Sequence, residues 1–522
     1  MSALHDQIPA VAVEPKQLGA LAATVEAAGL LASPLDAEWV DVEITDVVND
    51  SRQATPGALF GALSADTHHG RDGHTFIDAA LAQGAAAALV SDGWWTAASI
   101  PVPLGKGERL RGAAFVPTTD TRAALAEVAN AFFDQPGRQL ALLGVTGTNG
   151  KTTTVFLIHH LLTQLSETAG LVGTVENRIG TERYATAFTT PESPDLQRFL
   201  RACVDSGCST VAIEVSSHGL ALDRVRTLGF NVAVFTNLTQ DHLDFHPTFE
   251  HYRNAKKSLF DRLDASATAI VNADDPAWGE MTADSSARIV TFGTSEGADV
   301  RVEVLDNAVT GLRLRLDGHE RTFQLAGRFN ALNLAAAYAV GRALGHDASS
   351  ILDALATAPG VPGRFETVHS DDGVLGVVDY AHTPDALDNV LATAAEIVPE
   401  GNDLWAVFGC GGDRDAGKRP KMAAVAEAHA THVVCTSDNP RTEDPEAILD
   451  DVVAGLRQPD AATRIADRQL AIAYAAANAR AGDVVVVAGK GHETYQIVGN
   501  TKRDFDDREA LRDAFSTRGV KA

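Results

Sequence analysis

The stretch Ala141–Leu157, ALLGVTGTNGKTTTVFL, constrains the fold more than any other part of the chain. An apolar run enters a glycine-bearing turn and leaves it as helix-forming residues, which reads as buried strand, tight loop and helix. Gly147 and Gly150 let backbone N–H groups approach phosphate oxygens. Lys151 can reach terminal phosphates, and Thr152 can offer its hydroxyl to Mg²⁺. The helix that follows adds the positive end of its dipole. One element of the general Gly-x4-Gly-Lys-Thr pattern is missing, because Val145 stands where the first glycine would be. A chance glycine turn is the bland alternative, and the strand–turn–helix setting weighs against it.

A loop of this kind needs a sheet around it, and the chain is long enough for several. Its 522 residues suggest about three domains. Hydrophobic residues make up 45%, enough for several cores, so disorder is not the leading class. The formal net charge of −26 argues against a nucleic-acid partner, though a local Lys/Arg cluster can still serve an anionic substrate. The four cysteines (203, 208, 410 and 435) show no short paired spacing, which argues against a disulfide framework or structural zinc. The N-terminal residues have neither a basic segment nor an apolar one, so no secretory signal is expected. Apolar runs such as Ala85–Val90 fall far short of the roughly 20 residues of a membrane span. A soluble, cytoplasmic, monomeric chain with no membrane partner is the expectation.

The expected class is α/β with three domains. Residues 1–137 open with Val42–Val48 and 58–61 as strands, a helix-like Phe76–Gly84 and a strand over Ala85–Ser91. A helix over Thr121–Phe133 then stops at Gln135-Pro136-Gly137. Residues 138–363 carry the phosphate loop and strand-like runs at Thr210–Val215, Val232–Asn237, Ala267–Asn272 and Arg288–Phe292. Strands alternating with helices imply a mostly parallel sheet. This unit closes at Gly360-Val361-Pro362-Gly363-Arg364. Residues 364–522 repeat the architecture as a doubly wound, Rossmann-like unit. Its strand candidates are Gly373–Asp379, Leu404–Gly409, His432–Ser437 and Asp483–Ala488. In such sheets ligands bind beyond the carboxyl ends of the strands.

Two polar clusters follow strands in the middle unit. Glu214-Val215-Ser216-Ser217-His218 follows one, and Thr236–His246, with Asn237, Asp241 and His242, follows another. Metal and phosphate ligands belong at such positions. Tyr252–Phe260, with Lys256 and Lys257, reads by itself as a solvated helix face.

Taken in order, Gly147-Thr-Asn-Gly150-Lys-Thr-Thr, Glu214-Val-Ser-Ser-His, Thr236-Asn-Leu-Thr-Gln-Asp-His and Tyr252-x3-Lys256 resemble the Mur ligases. These are ATP-dependent amide ligases of peptidoglycan precursor synthesis. Within that family Val145 is no departure. Asp379-Tyr-Ala-His382-Thr-Pro-Asp, Gly409-Cys-Gly-Gly-Asp-Arg414-Asp-x-Gly-Lys418, Asp438-Asn-Pro-Arg441 and Gly489-Lys-Gly-His-Glu493 resemble the branch that adds the third residue of the stem peptide.

The resemblance implies a reaction and a set of sites. ATP would phosphorylate the D-Glu γ-carboxylate of UDP-N-acetylmuramoyl-L-alanyl-D-glutamate, and an amine would attack the acyl phosphate. Positioning and charge neutralisation carry such chemistry. ATP and Mg²⁺ are the implied cofactors. Gly147, Thr148, Asn149, Gly150, Lys151, Thr152 and Thr153 would cradle ATP, with Asn237, Asn330, Arg364, Asp379 and His382 as further nucleotide contacts. Lys151, Glu214, His242 and Lys256 would be catalytic. Thr152, Glu214, His242 and a carbamylated Lys256 would serve the metal. Ser51, Asp66, Thr67, His68, Thr189, Thr190, Ser216 and Arg224 align with contacts to the UDP-muramoyl-dipeptide. Leu222 departs from the polar residue often found two before that arginine.

The amine is implied to be meso-diaminopimelate, held by Arg414, Asp438, Asn439, Pro440, Arg441, Gly489 and Glu493. The physics agrees. Diaminopimelate ends in a second amino-acid head whose carboxylate Arg441 can fork onto, whereas lysine would face that arginine with a like charge. The bland alternative pairs Arg441 with nearby Glu443. Rival readings are the same ligase adding L-lysine or L-ornithine, a sister ligase such as a folylpolyglutamate synthase, and a non-catalytic nucleotide-binding protein.

Overall fold

The computed structural model describes residues 4–5, 8–65, 71–98, 113–243, 245–308 and 311–518. The chain forms two compact units, residues 1–300 with 336–351, and residues 301–335 with 352–522.

Two sheets organise the first unit, beside a short pairing of Lys16–Gln17 with Glu43–Ile44. The smaller has four strands, Asp46–Val48, Ala58–Gly61, Ala87–Ser91 and Ala114–Thr118, in that order and all parallel. Buried on both faces, these strands read as nearly continuous apolar runs. Leu21 and Val25 of the helix Leu18–Ala27 and Leu125 and Phe132 of the helix Thr121–Phe132 cover one face. Ile77 and Ala80 pack on the other. Asp120 caps the second helix by accepting from the N–H groups of Arg122 and Ala123. That helix ends as expected, with Asp134 and Gln135 left-handed before the 3₁₀ turn Pro136–Gln139.

The larger sheet holds the phosphate loop. Six parallel strands run in the order Ala169–Val172, Thr210–Glu214, Ala141–Thr146, Val232–Phe235, Thr268–Asn272 and Arg288–Gly293. The loop's own strand lies inside, paired Val145 to Glu214 on one side and Thr146 to Phe235 on the other. This register carries Glu214 and the Thr236–Asn237 turn to the same sheet edge as Gly147–Thr152. The two sheets are tied by Arg198 to Asp46 at 2.7 Å and Arg226 to Glu127 at 3.1 Å.

In the second unit, Val300–Ala308, Gly311–Leu316 and His319–Phe323 form an antiparallel meander. A second sheet runs Glu366–His369, Leu375–Asp379, Val484–Ala488, Leu404–Cys410, His432–Ser437 and Thr463–Arg464, parallel after its first pair. Helices Pro384–Ala395 and Arg419–His429 cover one face and Arg468–Asn478 and Asp507–Ser516 the other. Asp379, Ala488, Cys410 and Ser437 end their strands together, so the loops that follow share one edge. A hairpin, Tyr495–Val498 with Thr501–Asp504, stands beside it. The sequence did not signal this hairpin, the meander or the strand Ala169–Val172. Among the described residues no helix is long and apolar enough to cross a membrane.

Candidate active site

The phosphate loop is clamped from the strand next to it. Gly147 has φ +149°, and a Cβ there would run into Thr236 Oγ1, so only glycine fits. Asn237 secures the loop with both ends of its amide: Oδ1 accepts from Asn149 N (2.9 Å) and Nδ2 donates to Asn149 O (3.1 Å). Thr148 N donates to Asn237 O at 2.8 Å, and the Thr148 hydroxyl is 2.9 Å from that of Tyr252. Gly150 caps the helix Lys151–Gln164 in the left-handed conformation. Lys151 Nζ donates to the carbonyls of Gly147 and Thr148, both at 2.8 Å. Thr152 and Thr153 lie in the first turn of that helix, both buried.

A chain of hydroxyls links this loop to the next cluster. Thr152 Oγ1 donates to Glu214 Oε2 at 3.0 Å, which also accepts from Thr174 Oγ1 at 3.1 Å. Glu214 Oε1 accepts from Thr174 N at 2.9 Å. The Thr174 hydroxyl then meets that of Thr189 at 2.9 Å. From the Glu214 carbonyl a second path runs through Thr190 Oγ1 (2.7 Å) to Ser216 Oγ (3.1 Å). Arg224 donates to Thr190 O at 2.9 Å and pairs with Glu192 at 2.7 Å. Thr152, Glu214, Thr189, Thr190, Ser216 and Arg224 are therefore one connected cluster.

Lys256 and His242 have other partners. Lys256 is buried, donates to Gly147 O at 2.7 Å and lies 4.6 Å from the Tyr252 ring centre. Burial first, then the Lys151 ammonium, pushes its amine well below the ordinary lysine range, while Asp241 pulls the other way. The solvated face expected for this helix is thus wrong at Lys256, because the helix turns that side chain under the loop. His242 sits at φ +52° with Nε2 3.5 Å from Asp241 and its ring 4.8 Å from that of His218.

Among the described residues no three His, Cys, Asp or Glu side chains converge as a metal cage. The donors that do meet, the Thr152 hydroxyl and the Glu214 carboxylate, are hard oxygens. They fit Mg²⁺, which keeps several waters and takes one or two carboxylates plus phosphate oxygens.

In the same unit a cavity of about 1260 Å³ is lined by Ser51, Arg52, Arg122, Phe188, Glu192 and Arg198, among others. Ser51 follows the strand Asp46–Val48, where Asp50 caps its turn by accepting from Arg52 N at 2.9 Å. Asp66, Thr67 and His68 lie outside the described residues.

Asn330, Arg364, Asp379 and His382 belong to the second unit. Asp379 accepts from Phe365 N (2.7 Å) and Ala381 N (2.8 Å), and its burial raises its carboxyl above the usual range against the pull of Arg364. Arg364 lies 5.3 Å from the Tyr380 ring centre. His382 Nδ1 is 2.9 Å from Tyr380 O, and Lys418 Nζ donates to His382 O at 2.7 Å. Asn330 Nδ2 donates to Ala326 O at 2.8 Å. Gly363 presses on Gly491–His492 so closely that a Cβ there would collide with their backbone.

The residues expected at the amine converge on the loops after three strands. A Cβ at Gly411 would lie 3.0 Å from Arg441 Nη1 and 3.8 Å from Arg414 Cγ, so both arginines border one glycine. Arg441 Nη1 donates to Gly412 O at 2.8 Å. It does not pair with Glu443, whose carboxylate is held by Arg419 Nη2 at 2.9 Å. Asn439 Nδ2 donates to Glu493 Oε2 at 3.1 Å. Pro440 and Gly489 complete the backbone of these loops. Sequence reasoning assigns no role to Thr174, which holds Glu214 in the first unit, and Lys490, which holds Asn439 here, stands there only as one letter of a motif. Both follow strand ends, a position that would have flagged them.

A phosphate loop at the carboxyl edge of a parallel sheet, in a chain that ends in a doubly wound unit, defines a nucleotide-using α/β enzyme. Residues 145–341 match the family model described as Mur ligase middle domain, and residues 363–491 that described as Mur ligase, glutamate ligase domain. Over 504 residues the chain is 43% identical to the UDP-N-acetylmuramoyl-L-alanyl-D-glutamate--2,6-diaminopimelate ligase of Geobacillus kaustophilus, covering 94% of this chain and 99% of that relative. A solved structure of a ligase of that same name matches at 35% identity with a TM-score of 0.67, covering 94% and 98%. The MurF ligase of Thermotoga maritima, solved in complex with ADP, shares the fold at 19% identity and a TM-score of 0.58, covering 91% and 97%. The chain belongs to the Mur ligase family.

Proposed function

We propose that this protein is an ATP-dependent amide ligase that joins meso-2,6-diaminopimelate to UDP-N-acetylmuramoyl-L-alanyl-D-glutamate through an acyl phosphate. In this reading residues 1–137 hold the nucleotide sugar, 138–363 hold ATP and 364–522 select the amine. The protein works as a monomer in the cytoplasm.

The loop Gly147–Thr153 wraps the phosphates with N–H groups, and Lys151 moves from the loop carbonyls onto the phosphate oxygens. Thr152, Glu214 and His242 are the residues that would hold Mg²⁺, which supplies charge neutralisation for phosphoryl transfer. Glu214 keeps the loop in register with Thr189, Thr190 and Ser216, which orient the dipeptide end of the acceptor. Arg224, anchored on Glu192, faces its negative charge. Burial weakens the Lys256 amine as a base, which favours its addition to CO₂ with loss of a proton. The resulting carbamate would turn a cation under the loop into an anion. Asn237 acts by holding Asn149. Asn330, Arg364, Asp379 and His382 serve the nucleotide.

The observation that carries the choice of amine is Arg441. Its guanidinium borders Gly411 beside Arg414, with Glu443 engaged by Arg419, which supports a role in holding a substrate carboxylate. The test is phosphate release by purified protein with ATP, Mg²⁺ and the UDP-muramoyl-dipeptide, comparing diaminopimelate, lysine and ornithine. Diaminopimelate should be preferred by at least about 10³ in kcat/KM. Faster turnover on lysine or ornithine would overturn the amine assignment and leave the ligase class standing.

A further inference from the structure

Lys490 is a fully buried lysine among the loops that gather at the amine and the start of the hairpin Tyr495–Val498. Its Nζ donates to Asn439 Oδ1 at 3.0 Å and to Tyr495 O at 2.6 Å. It lies 3.4 Å from Asp438 Oδ1 and 3.5 Å from Glu493 Oε2. The two hydrogen bonds use two of its three hydrogens, and the two carboxylates stand at ion-pair distance. Asn439 passes the order on, because its Oδ1 also accepts from Ile497 N at 2.9 Å and its Nδ2 holds Glu493. Asp438 Oδ1 is buried and has no hydrogen-bond donor on it among the described residues.

The charges at this edge balance. Asp413, Asp438 and Glu493 are the carboxylates, and Lys490, Arg414 and Arg441 are the cations, with Asp413 facing both arginines. Arg468 also feels Asp438 and Glu493, but Asp507 neutralises it in a buried pair. A neutral site suits a neutral visitor, and the far end of diaminopimelate is a zwitterion. Lysine would bring a net positive charge to the same place. Taking away one buried cation would leave the site net negative, which suits the ammonium better than the zwitterion.

We propose that Lys490 is the specificity-determining positioning residue of the amine site: it fixes Asp438, Asn439 and Glu493 and sets their summed charge so that a zwitterionic terminus is taken over a cationic one. The inference rests on the amine site proposed above. Lys490 touches no substrate; it acts through its neighbours.

The experiment measures kcat/KM for diaminopimelate and for lysine on the full chain, with KM for ATP measured alongside. Lys490→Met removes the charge and keeps the length. Asn439→Asp adds a negative charge and leaves Lys490 in place. Both should shift the diaminopimelate-to-lysine ratio toward lysine by about tenfold or more, with KM for ATP within about twofold of wild type. Equal losses on both amines would make Lys490 merely structural and overturn the proposal. If Lys490→Met fails to fold by circular dichroism, Asn439→Asp decides, and an unchanged ratio refutes. Wild-type protein that releases no phosphate with diaminopimelate would sink the functional reading itself, a result distinct from either variant's.

Discussion

Removing Arg468 should destabilise the second unit as much as a large core truncation does. Its guanidinium and the Asp507 carboxylate are both wholly buried, joined by two parallel bonds of 2.7 Å. The same guanidinium donates to Ser437 O at 3.2 Å and Ala488 O at 3.0 Å, the last residues of two strands. Arg468→Met therefore strands a buried carboxylate and loosens two carbonyls. Breaking one partner of such a pair costs about 3–5 kcal/mol. In a unit of this size each kcal/mol moves the melting temperature by roughly 2–4 °C, so the shift should be about 6–20 °C. Asp507→Leu should cost a comparable amount. The double variant, with no charge left buried, should cost clearly less than the two singles added together. Calorimetric melting of the full chain and its three variants reads this directly. Single variants within about 1 kcal/mol of wild type, or a double variant equal to the sum, would refute the argument.

Three further outcomes are expected. Gly147→Ala should leave the fold intact by circular dichroism and raise the Kd for ATP by about tenfold or more, since φ +149° and the Thr236 hydroxyl both oppose a side chain; unchanged affinity would contradict the close approach. Lys256→Ala should lower kcat by at least about 100-fold, with partial recovery on adding formate or acetate, and full activity without rescue would dismiss the carbamate. His159 is buried, and burial, aided by Arg178, pushes its imidazole down to about 4. The native state keeps it neutral while the unfolded chain protonates it near 6.5. Its contribution is whole above that value and is lost as pH falls toward 4, about 3 kcal/mol in all. His159→Gln should flatten the urea-melt stability over that range, and an unaltered pH profile would remove His159 as the cause.

Local patterns in the sequence were enough for the phosphate loop, because an apolar run, two glycines and Lys-Thr all lie within one short stretch. The doubly wound sheet was legible for the same reason: Leu404–Cys410 and Val484–Ala488 are uninterrupted apolar runs. What the sequence could not supply was lateral order. Nothing local says that the strand Ala141–Thr146 lies between Thr210–Glu214 and Val232–Phe235, and that order is what brings Glu214 and Asn237 to the loop. Thr174 went unnoticed because its strand, Ala169–Val172, is four residues of modest hydrophobicity. Lys490 was one letter of a motif, since lysine is normally exposed; only the fold buries it. The pairing of Arg441 with Glu443 was plausible at two residues' distance, but Arg419, 24 residues away, claims the carboxylate. The hairpin 495–504 escaped because Thr501–Asp504 is exposed throughout and shows no alternation.

Gly363 and the Gly491–His492 backbone meet with no side chain between them. Side chains act as springs: they change rotamer and absorb a displacement of a few tenths of an ångström. Bare backbone has no such slack. A rotation of the segment 360–365 is therefore delivered undamped to residues 489–493, as a lever delivers it. A substitution at Gly363 would be read as faulty amine selection in a residue that never meets the amine.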